Sequence, residues 1–344
     1  MIKKIPAEDP RRDGFYMPAE WTPHDACWMA WPCREGLWPN HKATARDYAA
    51  VANAIARFEP VRMLTPTRHL QAARNLVNDN VTLIEAVIDD SWARDSGPNF
   101  LVNGDGAVAG SCWTFNAWGG KYDPFDNDAK MGGLILDHVG ARRFASPLIA
   151  EGGGITVDGE GTVITTESCF LNKNRNPDWT REEIDAELCR TLGAEKVIWI
   201  PGDPEETETD GHIDGIAAFI EPGRLLLEVN PDKTDPHYEV GMKNLAALKG
   251  VTDAKGRKLD IEFIDEGIYH EDLWNGGCSS YINSYLANGA VIVPGYGYDR
   301  DGAAVETYQR LYPDREIVQV PINNIAIGGG GVHCITQQQP SALK

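Results

Sequence analysis

The side chains able to do chemistry in this chain gather in five short polar runs flanked by glycine. They are Asp89-Asp90-Ser91-Trp92-Ala93-Arg94-Asp95-Ser96-Gly97-Pro98, Glu151-Gly152-Gly153-Gly154, Glu208-Thr209-Asp210-Gly211-His212-Ile213-Asp214, Asn275-Gly276-Gly277-Cys278 and Gly328-Gly329-Gly330-Gly331-Val332-His333-Cys334. Cys334 follows four glycines, which let backbone and ligand approach closely, a setting that suits a reactive thiol better than a packing one. Cys27, Cys112, Cys169 and Cys189 lack that setting and read as buried, inert thiols. In an extended segment His333 points away from the face that Cys334 occupies, which gives it a structural role. His212 and Asp214, two apart, emerge on one face of a strand and suit a shared site. A metal held by His212, Asp214 and Cys334 is the competing chemistry, although the close ligand pairs of zinc sites, C-x-x-C or H-E-x-x-H, are absent. Asp95, before Ser-Gly-Pro, reads equally as a turn-capping side chain or a site carboxylate. The Gly152–Gly154 run lacks the lysine of a phosphate loop.

The elements that must position these runs repeat. Five times an amphipathic helix leads into a short apolar strand, often closed by proline. The helices are expected near 44–58, near 127–139, from the capping box Thr180/Glu183, from Asp235-Pro236 and near 303–312. Their strands are Val61 to Pro66, Arg143 to Pro147, Lys196 to Pro201, Asp260 to Asp265 and Glu316 to Pro321. Further strand-like runs, such as Gly161 to Thr166, Arg224 to Val229 and Ala290 to Pro294, complete units of strand, strand, helix and strand. A repeated unit buries its apolar face against its neighbours, so radial closure is favoured, with a doubly wound sheet as the alternative. Radial closure would bring the polar runs to one axis and one cavity.

Composition limits the partners. The 344 residues carry 32 Lys+Arg against 51 Asp+Glu, a net charge of −19, which repels nucleic acid and anionic lipid and attracts a small cation. Seven scattered cysteines, odd in number, read as free thiols in a reducing cytoplasm. The first residues, MIKKIPAEDPRRDGF, hold no apolar signal core, and no apolar run is long enough to span a membrane.

These motifs resemble the agmatine deiminase branch of the guanidino-group-modifying enzymes, the pentein superfamily. The resemblance rests on Gly14-Phe15-Tyr16-Met17-Pro18-Ala19-Glu20-Trp21, Cys27-Trp28-Met29-Ala30-Trp31-Pro32, Trp92 to Pro98 and Phe115-Asn116-Ala117-Trp118-Gly119-Gly120-Lys121-Tyr122. It continues through Glu151-Gly152-Gly153, Gly211-His212-Ile213-Asp214 and His333-Cys334-Ile335-Thr336-Gln337-Gln338. It implies one catalytic domain over residues 1–344, a fivefold pseudosymmetric α/β propeller, no cofactor or metal, and a homo-oligomer, with a dimer favoured. By the same resemblance Cys334 is the nucleophile, His212 the general acid and base, and Glu151 its partner; Asp95 and Asp214 clamp a guanidinium. Glu208 matches the carboxylate that receives the substrate's amine, and Trp92 offers it an aromatic face. At Asp210, Gly215 and Gly331 the chain departs from the asparagines usual in the family. The implied activity is hydrolysis of agmatine to N-carbamoylputrescine and ammonia. The alternatives are deimination of another guanidino compound, including arginine or peptidyl-arginine, amidino transfer, and a non-catalytic binding protein of the same fold. Five groups suited to catalysis argue against the last.

Overall fold

Local capping starts the helices where the sequence marks them. In the computed structural model, which describes residues 8–267 and 277–342, Thr180 Oγ1 accepts from Glu183 N at 3.2 Å. Glu183 Oε2 in turn accepts from Thr180 N at 2.8 Å, closing the box that opens the helix Arg181–Leu192. Asp235 caps the helix Pro236–Leu248 with its side chain alone, which accepts from His237 N at 2.8 Å. The other helices run His41–Ile55, Met131–Val139 and Asp301–Leu311, the second preceded by a 3-10 turn, Asp128–Lys130. The helix expected near 44–58 starts earlier because the Asn40 side chain caps it.

Each helix crosses between parallel strands. The chain opens with β1 (His24–Ala30), β2 (Val61–Thr65) and β3 (Val81–Glu85). A second sheet holds β4 (Asn99–Val102), β5 (Val108–Thr114) and β6 (Arg142–Ile149); a third holds β7 (Ile155–Val157), β8 (Thr162–Thr166) and β9 (Lys196–Ile200). The fourth is β10 (Ala217–Glu221), β11 (Arg224–Val229) and β12 (Asp260–Asp265), and the fifth β13 (Tyr285–Ala287), β14 (Ala290–Gly295) and β15 (Glu316–Pro321). In these four sheets the first two strands pair antiparallel, and the third joins the second in parallel. The C-terminal β16 (Gln337–Pro340) completes the first sheet by pairing antiparallel with β1, so the two ends of the chain lock one unit together.

Among the described residues there are thus five small sheets and no continuous one. This is the α/β propeller of strand-strand-helix-strand units, and the doubly wound alternative does not hold. The largest apolar cluster packs the helix His41–Ile55, through Tyr48, Val51 and Ile55, against β1, β2 and the fifth sheet.

Five connections lead from the last strand of one sheet to the first of the next: 86–98, 150–154, 201–216, 266–284 and 322–336. The short polar turns within them touch one another. Gly153 N donates to Asp95 Oδ1, Arg94 N to the Cys334 carbonyl, and Asn283 Nδ2 to the Asp214 carbonyl. Two local readings need correction. His212 and Asp214 do not lie on a strand, because Ile213–Gly215 forms a 3-10 turn with His212 as its N-cap. Residues 332–335 form a turn, so Cys334 is not in an extended segment.

Candidate active site

Gly153 marks the centre of the site. A Cβ built on it would fall 2.6 Å from His212 Nδ1, 2.8 Å from Asp95 Oδ1 and 2.9 Å from Asp214 Oδ2, so only glycine leaves these three groups a common space. Cys334 Sγ lies 3.7 Å from Asp214 Oδ2. Glu151, fully buried, reaches His212 Nε2 through Oε2 at 3.3 Å. The structure therefore brings together five residues from four connections: Asp95, Glu151, His212, Asp214 and Cys334.

The electrostatics follow from these neighbours. Burial and the Asp214 and Asp95 carboxylates push the Cys334 thiol well above its usual range, so without a cation beside it the sulfur keeps its proton. Burial works against charge on His212, but Asp95, Cys169 and Glu151 outweigh it and raise the imidazole well above its usual value. Burial likewise opposes ionisation of Glu151, yet His212 and the Arg175 guanidinium hold its carboxyl below the ordinary range.

Arg175 carries no local sequence signal. Its Nε donates to Glu151 Oε1 at 2.7 Å and its Nη1 to Asp210 Oδ2 at 2.8 Å. Asp210 also accepts from Lys121 Nζ and Asn174 Nδ2, both at 2.9 Å. A carboxylate in place of the family's asparagine thus gains two cationic partners, and its left-handed backbone, φ 65°, is one that Asp and Asn both tolerate. Gly215 has open space around it, so the departure there disturbs nothing.

The mouth of the pocket is lined by Trp92, Trp118, Tyr122, Glu208, Gly329 and Gly330. Half-buried Glu208 accepts from the Tyr122 hydroxyl at 2.8 Å and keeps a face toward the opening. Trp92 rests on Trp38, with ring centroids 5.7 Å apart. Trp118 Nε1 donates to Asp95 Oδ2 at 2.8 Å from a backbone in the left-handed region, φ 54°, with Ala117 at φ 56°. Such non-glycine residues cost on the order of 1–3 kcal/mol each, and here that strain accompanies an indole aimed at a site carboxylate.

Two histidines divide the work. His212 faces Asp95 and Glu151, whereas His333 lies behind the site, with Nδ1 2.8 Å from Asp214 Oδ2 and Nε2 3.0 Å from Glu20 Oε2. Cys169 is no bystander in the core. With Glu151 and His212 it supplies three donor atoms within 4.8 Å of one another, a set that could hold a metal ion. Both Glu151 oxygens already face hydrogen-bonding cations or imidazole, and the charged Arg175 beside them opposes a metal cation. The metal set considered from sequence, with Cys334 and Asp214, is a different one. Of the fourth polar run, Asn275 and Gly276 lie outside the described residues.

Residues 16–340 match the family described as Porphyromonas-type peptidyl-arginine deiminase. The agmatine deiminase of Ectopseudomonas mendocina is 42% identical over 96% of this chain and 97% of its own. Among solved structures, the agmatine deiminase of Enterococcus faecalis superposes with a TM-score of 0.95 at 35% identity, covering 99% of this chain and all of the other. A dimethylarginine dimethylaminohydrolase shares the fold at 14% identity and a TM-score of 0.51, over 92% of this chain and 99% of that one.

Proposed function

The chain belongs to the Porphyromonas-type peptidyl-arginine deiminase family, and within it we propose that it is an agmatine deiminase, hydrolysing agmatine to N-carbamoylputrescine and ammonia. The observation that carries this reading is the convergence of two carboxylates, an imidazole and a thiol around Gly153, with Glu208 at the mouth. A guanidinium is a planar cation whose N–H groups fit carboxylates, and its carbon needs a strong, soft nucleophile.

In the proposed reaction Asp95 and Asp214 hold the guanidinium, and Glu208 receives the distal ammonium with Trp92 along the methylene chain. The bound cation offsets the two carboxylates that keep Cys334 protonated, and the thiol gives its proton to solvent. The thiolate attacks the guanidinium carbon to give a tetrahedral adduct. His212, held as imidazolium by Asp95 and Glu151, protonates one amino group, which leaves as ammonia, and a thiouronium remains. Neutral His212 then takes a proton from water as the oxygen adds to that carbon. Collapse of the second adduct breaks the C–S bond, returns the electron pair to sulfur together with the hydroxyl proton, and releases the ureido product with the thiol restored. Arg175 orients Glu151 and keeps it ionised.

The same reading takes residues 1–344 as one catalytic domain that works in the cytoplasm without metal or cofactor. The pairing of β16 with β1 supports the single domain, and the net charge disfavours nucleic acid and membrane partners. Among the described residues no helix is long and apolar enough to cross a membrane. A homo-oligomer, with a dimer favoured, rests on the family resemblance alone.

The test is a substrate panel of agmatine, arginine and a peptidyl-arginine, each with and without an acceptor amine, read for ammonia and ureido product together. Equimolar ammonia and ureido product from agmatine, with arginine a poor substrate, is expected. Acceptor-dependent amidino transfer without ammonia, or arginine turnover matching that of agmatine, would overturn the reading.

A further inference from the structure

Each of the five connections places at least one polar side chain at the sulfur or the carboxylates around it, and the reaction above uses those of only four. The fourth connection supplies Asn283, which is 1% exposed and set in the apolar sequence Tyr281-Ile282. Its amide has one orientation that satisfies every neighbour. Asn283 Oδ1 accepts from the backbone N–H of His333 at 2.9 Å and of Cys334 at 3.2 Å, so this atom must be the oxygen. Asn283 Nδ2 then has two hydrogens. One goes to the Asp214 carbonyl at 3.2 Å, and the other faces Cys334 Sγ, also at 3.2 Å. Cys334 Sγ also lies 3.4 Å from Asn283 Oδ1, to which the neutral thiol can donate, so the thiol meets the oxygen and the thiolate the N–H.

The amide is also wedged in place. A Cβ added to Gly331 would come within 2.6 Å of Asn283 Oδ1 and 3.0 Å of its Cβ and Cγ. The glycine that departs from the family's asparagine is what lets the Asn283 side chain sit against this turn.

We propose that Asn283 is a further catalytic residue, whose amide N–H donates to the Cys334 sulfur and stabilises it as a thiolate. The sulfur needs such a donor twice, when the thiolate forms before attack and when the C–S bond breaks and the electron pair returns to it. Of the neighbours that bear most on the sulfur, Asp214, Asp95 and Cys278 oppose a negative charge there, and the Gly331 backbone N–H favours it. Asn283 is a neutral donor that favours the charge without repelling a cationic substrate. The inference rests on the reading of Cys334 as nucleophile.

The discriminating variant is Asn283→Ala, which removes the N–H aimed at sulfur without adding a charge; Asn283→Asp would place a third carboxylate beside the sulfur and oppose the thiolate whatever the N–H does. If the donor matters, kcat falls in Asn283→Ala by about tenfold to a hundredfold, the weight of a hydrogen bond to a charged group. KM should stay within about threefold, since the tail contacts are untouched. Alkylation of substrate-free protein by iodoacetamide, read as label on the Cys334 peptide, should be slower and reach half its maximum at higher pH. If Asn283 only braces the turn, Asn283→Ala leaves the pH of half-maximal labelling unchanged, or lowers it as water reaches the thiol, and that result overturns the proposal.

Thermal melting identifies a variant that fails to fold. In that event Gly331→Ala, which crowds the amide without removing it, should lower kcat and labelling in the same direction, and unchanged values there overturn the proposal equally. Labelling needs no substrate, so it does not depend on agmatine being the right one. Turnover surviving in Cys334→Ser would instead refute the nucleophile assignment itself.

Discussion

Asp95 and Asp214 are the same residue type, each 6% exposed and each within reach of Gly153, yet the protein shifts them in opposite directions. Equal burial means that the partners decide. Burial raises the Asp95 carboxyl above its ordinary value, and its hydrogen bonds come from neutral donors, Trp118 Nε1 and Gly153 N. Burial opposes ionisation of Asp214 as well, but His333, itself backed by Glu20, outweighs it and holds Asp214 below the usual range. Behind them Glu20 is lowered to about 2: burial opposes its charge, and the His333 imidazole overrides burial. One carboxylate is completed by the fold, whereas in the proposed reaction the other is completed by the substrate.

That contrast can be broken first at Asp95. Asp95→Asn is expected to lower kcat/KM by about a hundredfold to a thousandfold, the scale for removing a preorganised group that meets charge in the transition state. Asp95 also leads the groups that raise His212, so the basic limb of the pH–rate profile should move to lower pH. The folded pKa of Asp95 lies above its unfolded value near 3.8, so its ionised form costs the fold stability at neutral pH, while asparagine accepts from only one of Trp118 Nε1 and Gly153 N and gives up the pull on His212; the melting temperature should therefore change less than in Asp214→Asn.

Asp214→Asn should behave in the reverse manner, with a loss of stability on the order of 3 kcal/mol from a broken buried ion pair. In the wild type, the contribution of Asp214 is present above its unfolded pKa near 3.8 and is lost as pH falls through its lower folded value. The contribution of His333 is full below 6.5 and is lost as pH rises through its raised folded value. Burial and Arg94 oppose charge on His333, and Glu20 and Asp214 outweigh them. Melting curves across pH should therefore be flatter in both windows for Asp214→Asn than for wild type. Equal pH dependence in the two proteins would erase the distinction between the carboxylates.

Glu208 sharpens the comparison from the mouth of the pocket. Glu208→Gln should raise KM for agmatine by roughly tenfold to a hundredfold with a smaller change in kcat, because the tail binds alike in ground and transition states. Arginine should remain poor in both forms, which steady-state kinetics with the two substrates would check. Lys121 lies near this mouth, but Asp210 already pairs it at 2.9 Å. The smallest effect expected is that of exhaustive chelation, which should leave the rate unchanged. A loss restored by a divalent ion would reassign Glu151, Cys169 and His212 to a metal.

Much of this arrangement is legible locally. A capping box or an Asp-Pro start depends on residues a few positions apart, so Thr180/Glu183 and Asp235-Pro236 mark their helices without knowledge of the fold. The polar runs are visible because close approach of five chain segments demands glycine, as Gly153 shows. What escapes is whatever depends on long-range placement. Arg175, in Asn172-Lys173-Asn174-Arg175, looks like a solvated charge until Glu151 arrives from another connection. Cys169 reads as a packing thiol and is buried like one, yet its Sγ lies 4.0 Å from Glu151 Oε2. Asn283 sits between Ile282 and Ser284, where no spacing rule would single it out. The strand read for His212 to Asp214 fails because period-two arguments assume extended backbone, while Gly211 and Gly215 bracket a tight turn.

The central claim is covalent catalysis at Cys334, and the most direct measurement is the mass of the intact protein and its peptides after acid quench of a reaction with agmatine. The account predicts an adduct with the mass of agmatine less ammonia, confined to the Cys334 peptide, formed and decaying at rates that match turnover. It also predicts that Cys334→Ser shows neither adduct nor turnover. Turnover without an adduct in Cys334→Ser, or an adduct carried by another residue, would contradict it.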